Sequence, residues 1–313
     1  MDKFGALLAE GGLSLDRLRN FCLIAEAGGI TKAAEGDPAK QSLYSRQIKE
    51  LETFFGVELK RRQGKGIALT DAGRQLAQLV RVHLVGLEDF RRSASALPKR
   101  LSIGAGNSIL EWLVLPHIGA LRERLPDSVF EFRSQRTAAI VSELMDMTCD
   151  VGVIREDAIK PPLKTRRLVN IGQIAYSLFL PARLGGGVTQ ENLKQRIGAI
   201  PVATSVGGQF RDHLETSVSK SGWPLRISVS CSSFTQAART ARSGGCGAIL
   251  PGIARADFEA AQVREFALPF LKRYTRQLCI AWNPRLLDVR SSLPAAVNDL
   301  YEILREVKLG PKA

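Results

Sequence analysis

The tripeptide Gly36-Asp37-Pro38 constrains the N-terminal fold more than any other feature of the chain. Proline lacks an amide donor and pushes the residue before it out of helical geometry, so one helix must stop before this turn and another can start at it. Upstream, Ser14 can cap a helix whose Leu18, Phe21, Cys22 and Ala25 fall at i, i+3, i+4 and i+7, with Gly28-Gly29 ending it. A short helix over Thr31 to Glu35 enters the turn. Downstream, Tyr44, Ile48, Leu51 and Phe55 recur at steps of 4, 3 and 4, which predicts a helix from about Ala39 to Phe55 that stops at Gly56. Helix, short helix, tight turn, helix is the order of a helix-turn-helix.

The third helix keeps Gln41, Ser42, Ser45, Arg46 and Lys49 on the face opposite its apolar stripe. A major groove admits one helix and is read by amides, hydroxyls and arginine, while lysine and serine hold phosphates. Any solvated helix could show such a face, so the next segment decides. Val57 to Arg62 and Ile67 to Thr70 are short strands around Gly64-Lys65-Gly66, a hairpin whose Arg61, Arg62 and Lys65 suit a wing lying along a phosphate backbone. The expected DNA contacts are these eight residues together with Thr31 at the head of the short helix. Thr70 then caps a helix reaching about Ser93, in which Leu76, Val80, His83, Leu87 and Phe90 repeat at 4, 3, 4 and 3. Such a seam is most simply explained by a dimer partner, with His83 packing there and not ligating.

Charge adds little by itself. The net charge is +13, yet residues 1–98 carry 15 Lys/Arg against 12 Asp/Glu, and residues 99–313 carry 29 against 19. The DNA argument therefore rests on clustering. A length of 313 residues, 45% of them apolar, suffices for two cores at about 150 residues each and excludes wholesale disorder. No stretch approaches the roughly 18 apolar residues of a bilayer span, and Phe4 to Ala9 is too short for a secretory core, so a cytoplasmic location is expected. Five cysteines without CxxC spacing and three scattered histidines give no disulfide framework and no metal site. Gly104-Ala105-Gly106 follows a strand, but Ile109 replaces the third glycine of a dinucleotide fingerprint. No HExxH, Ser-His-Asp order or P-loop is present, and neither an enzyme nor a cofactor is expected.

The segment Leu15 to Arg81 contains Ala33-Ala34, Gln41-Ser42, Ser45-Arg46-Gln47-Ile48, Leu51-Glu52, Phe55-Gly56-Val57, Leu59, Leu69-Thr70 and Ala72-Gly73 in order. It resembles the winged helix-turn-helix and linker helix of LysR-type transcriptional regulators. Asp37-Pro38, Lys40 and Leu43-Tyr44 depart from the family's usual turn. The resemblance implies an α+β winged helix-turn-helix over 1–70, a linker and dimerisation helix over 71–98, and an α/β effector-binding domain over 99–313 like a two-lobed periplasmic-binding protein. Lobe one is expected at about 99–166 and 275–313 and lobe two at about 167–274, with crossings near 165–170 and 272–276. Gln173 to Pro181 reads as one strand of the second lobe.

The resemblance further implies double-stranded DNA, a small-molecule effector and self-association as a dimer or dimer of dimers. Open α/β lobes bind ligands beyond the carboxyl ends of their strands. Asn107, Ser108, Arg136, Thr137, Thr204, Ser205, Ser232 and Ser233 fall at such ends, each with plain helix capping as its other role. The effector expected is a small organic anion clamped by Arg136. Two alternatives stand beside this reading: a redox switch through Cys231 and Cys246, since some family members sense oxidants through a cysteine pair, and a solute-binding or enzymatic two-lobed protein with an accessory helical domain.

Overall fold

A computed structural model describes residues 11–63, 66–159, 168–259, 261–307 and 309. The segment Phe4 to Ala9 and the hairpin residue Lys65 lie outside the described residues. Two compact units emerge, Met1–Leu97 with Arg285–Ser291, and Pro98–Pro284 with Ser292–Ala313.

In the first unit, α1 (Leu15–Ala27) is capped by Ser14, which accepts the amide of Arg17, and closes on a left-handed Gly28. After α2 (Ile30–Ala33), Asp37 accepts the amides of Ala39 and Lys40 at 2.8 and 3.3 Å and so starts α3 (Pro38–Phe55). Pro38 occupies the first turn, where its missing donor has no helical partner to lose. Tyr44, Ile48 and Leu51 of α3 join Phe21, Ile24, Ile30, Leu59 and Ala77 in one core. Glu52 ties α3 to the following strand by accepting the amides of Leu59 and Lys60 at 2.9 and 3.2 Å. The antiparallel pair β1 (Lys60–Gln63) and β2 (Gly66–Leu69) sets Arg61 opposite Ala68 and Arg62 opposite Ile67.

Thr70 caps α4 (Asp71–Ala94) by accepting the amide of Gly73 at 3.0 Å, while its own hydroxyl donates to the carbonyl of Glu58 at 2.6 Å. This helix is used on three sides. Ala77 and Val80 are buried, and the buried Arg81 holds Glu26 of α1 at 3.0 Å. On another side, Asp89 accepts the amide and hydroxyl of Ser291 at 3.2 and 3.0 Å, and Gly86 lies against Val289. The last side exposes Leu79, His83, Leu87 and Phe90. This corrects the expected dimer seam. Val80 is 5% exposed and Leu76 packs against the winged core, because only the first half of the helix lies against that core.

The second unit contains two five-stranded sheets. One has the order β4-β3-β5-β12-β6, from β3 (Lys99–Ala105), β4 (Ser128–Ser134), β5 (Val151–Arg155), β6 (Leu168–Ile174) and β12 (Arg276–Trp282). The other has the order β11-β7-β10-β8-β9, from β7 (Tyr176–Pro181), β8 (Val202–Ser205), β9 (Ile227–Cys231), β10 (Gly247–Pro251) and β11 (Val263–Ala267). Crossover helices include α5 (Thr137–Met145), α6 (Gly208–Ser221) and α7 (Phe234–Arg242), and α8 (Leu293–Leu304) comes last. The helical run after β3 is composite, with a π turn at Leu110–Val114 and a 3-10 turn at Leu115–His117 before Ile118–Arg124. Pro116 within it removes an amide that a regular helix would use.

The first crossing differs from expectation. Residues near 165–170 do not carry the chain over, because β6 still pairs with β12, and the turn falls at Ala175 between β6 and β7. Gln173 to Pro181 is therefore two strands in two sheets. No glycine or proline marks Ala175. What holds the turn is the carbonyl of Ala175 accepting the amide of Gly252 at 2.8 Å.

Gly73 is buried, and a Cβ there would overlap the carbonyl of Leu59. Backbone cannot rotate away as a side chain can. Gly73→Ala is expected to destabilise the first unit by about 1–3 kcal/mol, the usual range for overpacking, read as a lower urea midpoint at an unchanged slope.

Candidate functional site

Burying Tyr44, Ile48 and Leu51 leaves Ser42, Ser45, Arg46 and Lys49 exposed and Gln41 half-buried, all on one outward face of α3. Thr31 is exposed as well. The Arg46 guanidinium is only loosely held, with Glu50 at 3.9 Å, because Glu50 engages Arg17 of α1 at 2.6 Å. Gln47 is taken up by Asn20 at 2.9 Å, which pins α3 to α1. Strand geometry separates the two wing arginines. Arg61 and Arg62 are both exposed but point to opposite faces of the ribbon, with Arg62 on the side of Ile67 and Leu69 that packs against the core. The two cations therefore cannot grip one phosphate.

In the second unit the carboxyl ends of β3 and β9 meet through side chains. Thr235 of α7 donates to Oδ1 of Asn107 at 2.6 Å, and its hydroxyl lies 2.8 Å from that of Ser233. Ser233 also caps α7 by accepting the amide of Gln236 at 3.2 Å. Ser232 gives both its amide and its hydroxyl to Oε1 of Gln236, at 3.0 and 2.7 Å. Thr204 departs from expectation. It is fully buried and donates to the carbonyl of Ile249 at 3.2 Å, so it belongs to the sheet and not to a cleft. Ser205 is buried, whereas Ser108 and Thr137 are half-buried. Arg136 is exposed at the head of α5, and no described contact ties it to the Asn107 group.

A further cluster joins the two sheets where the chain crosses between them, and sequence reading missed it. Arg276, at the start of β12, donates to Asp157 at 2.7 Å and to Oε1 of Gln209 at 3.0 Å. Arg155, at the end of β5, reaches the same Gln209 at 3.3 Å and the same Asp157 at 3.6 Å. The Arg276 guanidinium lies 4.5 Å above the ring of Tyr274 and also donates to its hydroxyl. Rings that join the hydrophobic core pack beside it. Tyr176 stacks on Phe210 at 4.2 Å, Phe210 meets Phe234 at 5.2 Å, and Tyr176 meets Tyr274 at 5.5 Å. The signal was one arginine at the end of Val151–Arg155 and one at the start of Arg276–Trp282, each at the edge of a largely apolar strand. Burial, then the nearby Arg276 and Lys220 cations, lower the pKa of His213, which stacks on Tyr274 at 4.1 Å.

All five cysteines are free and buried. Burial pushes the thiols of Cys22 and Cys149 up to about 11 and that of Cys279 to about 12, and it raises Cys231 as well. Thiols held this way are poor nucleophiles near neutrality. Among the described residues, no helix is long and apolar enough to cross a membrane.

Residues 15–74 match the family "Bacterial regulatory helix-turn-helix protein, lysR family", and residues 94–308 match the "LysR substrate binding domain". The Hca operon transcriptional activator HcaR of Escherichia coli is 30% identical over 154 residues, covering 48% of this chain and 52% of its own. The chain spans about half the length of the curated relatives it matches. A full-length OxyR variant from Pseudomonas aeruginosa shares the fold at a TM-score of 0.61 and 20% identity, over 95% of this chain and 96% of that one. Full-length LysG of Corynebacterium glutamicum with bound effector Arg gives 0.60 and 18%, over 93% and 98%.

The Asp37 cap sets where α3 begins. Asp37→Ala is expected to cost about 1 kcal/mol and Asp37→Ser much less, measured by chemical denaturation.

Proposed function

The chain belongs to the LysR family of bacterial helix-turn-helix regulators, and from that premise we propose that it binds DNA sequence-specifically and answers to a small-molecule effector in its C-terminal domain. The observation that carries the DNA reading is the exposed row Ser42, Ser45, Arg46 and Lys49, aimed outward by a buried stripe beside the cationic strand β1. In this reading Arg46 and Gln41 read base edges in a major groove. Thr31, Ser42, Ser45, Lys49, Arg61, Arg62 and Lys65 hold the flanking backbone. The operative division is 1–70 for DNA, 71–98 for association and 99–313 for the effector. A two-lobed solute binder or enzyme would have no use for the α3 face.

Self-association follows from α4. Leu79 at 55%, Leu87 at 53% and Phe90 at 73% exposure form a row of large apolar side chains that a second copy of the helix would cover. Replacing Leu87 and Phe90 by Asp leaves the winged core untouched and should reduce the sedimenting species to a monomer. If the double variant sediments as the parent oligomer, the contact lies elsewhere.

The direct test is a gel shift with the DNA upstream of the chain's own gene, across a salt series. Arg61→Ala should weaken all sequences about equally and lower the slope of log K against log salt by about one. Arg46→Ala should cost about 1–3 kcal/mol on the preferred sequence and much less on random DNA. Unchanged binding in both variants would overturn the assignment.

A further inference from the structure

We infer that Leu43 covers the methyl group of a thymine, which makes it a specificity-determining residue of α3 beside Arg46. The inference rests on the DNA reading above and names one base that the helix selects.

Leu43 lies in the second turn of α3 and is 37% exposed. Among the described residues, no other large apolar side chain of that helix is as exposed, and Leu43 does not join those packed on the winged core. With 3.6 residues per turn, it stands about 60° around the helix from Arg46, and the exposed Ala39 stands about 20° from Arg46 on the same side. Ala39, Leu43 and Arg46 are spaced by four and three residues, so they are neighbours along one flank of the outward row. The polar neighbour one turn on, Gln47, is already taken up by Asn20. Ala39 and Leu43 therefore form an apolar step beside the loosely held Arg46. The sequence Leu43-Tyr44 is also where this chain departs from its family's usual turn, so a contact made by Leu43 is particular to this chain.

The chemistry of the groove decides which base such a step fits. Leucine has neither donor nor acceptor and cannot pair with the nitrogens and oxygens of a base edge. Set against guanine, adenine or cytosine, it would cover a polar group that loses water and gains no partner. Thymine alone presents a methyl group in the major groove, and an apolar side chain in contact with it distinguishes it from the other three. Arg46 beside it fits O6 and N7 of guanine. Side chains three apart on a helix stand about 5–6 Å from one another and stacked bases about 3.4 Å, which places the thymine within about two base steps of that guanine. Recognition helices contact bases with their N-terminal residues, and Leu43 lies nearer that end than Arg46.

The test replaces each thymidine of the bound upstream DNA in turn by deoxyuridine, which removes the methyl and leaves the pairing unchanged, and reads the affinity of the full chain by fluorescence anisotropy at one salt concentration. At least one replacement in each half-site should weaken the parent about fourfold, the effect of one buried methyl. Leu43→Ala should bind the natural sequence about fourfold more weakly and respond to that same replacement by less than about twofold. Arg46→Ala, weaker overall, should keep the response. Leu43→Gln, which keeps the length of the side chain, should lose it as Leu43→Ala does and serves if the alanine variant does not melt with the parent. A parent indifferent to every replacement, or a Leu43→Ala that still loses about fourfold at the same thymidine, overturns the inference while leaving α3 as a reading helix. If the parent prefers no sequence over random DNA, the DNA reading fails and this inference falls with it.

Discussion

Everything that could be read from outside this protein depends on which way α3 is turned, and three buried side chains decide that. Tyr44, Ile48 and Leu51 occupy one stripe and enter a core shared with α1 and the first residue before the wing, Leu59. Rotating the helix to bury its serines and Arg46 would exchange about 2 kcal/mol of burial per large apolar side chain for desolvated polar groups without partners. The orientation is thus strongly fixed. The Asp37 cap, the Asn20–Gln47 bond and the grip of Glu52 on the strand amides set its remaining degrees of freedom, the start, the tilt and the distance to the wing.

The helices of the first unit were legible because their signals are local. Ser14 and Thr70 cap where the sequence suggests, Asp37 of the turn caps α3 without having been read as a cap, and Gly28 and Gly56 close in left-handed geometry. The seam of α4 was legible only as a pattern. Periodicity shows that Leu76 and Leu87 share a stripe, but not that the first meets its own domain and the second meets solvent. Likewise, adjacent arginines in a strand read as one basic tip, whereas the pleat sends Arg61 and Arg62 to opposite faces.

In the second unit one crossing was misplaced, since a change of sheet needs only the single residue Ala175 and carries no turn chemistry. The polar and aromatic cluster was harder still. Arg155, Tyr176, Gln209, Phe234, Tyr274 and Arg276 are scattered along the chain, and only the pairing of β5 with β12 and the crossing at Ala175 bring them together. Hydroxyls at strand ends, by contrast, were visible in sequence and proved mostly committed: Ser233 to a cap, Thr204 to a sheet carbonyl. Capping is the common use of such residues, and the sequence offers no means of telling it from ligand contact.

Hydroxyl-radical footprinting of the upstream DNA of this chain's own gene tests the central claim most directly. A dimer presenting two copies of α3 should protect two backbone stretches whose centres are separated by a whole number of helical turns, about 10 base pairs or a multiple, with excess random DNA present. Protection that competes away with random DNA, or a single stretch without a second, would contradict the account of α3 as a reading helix carried on a dimer.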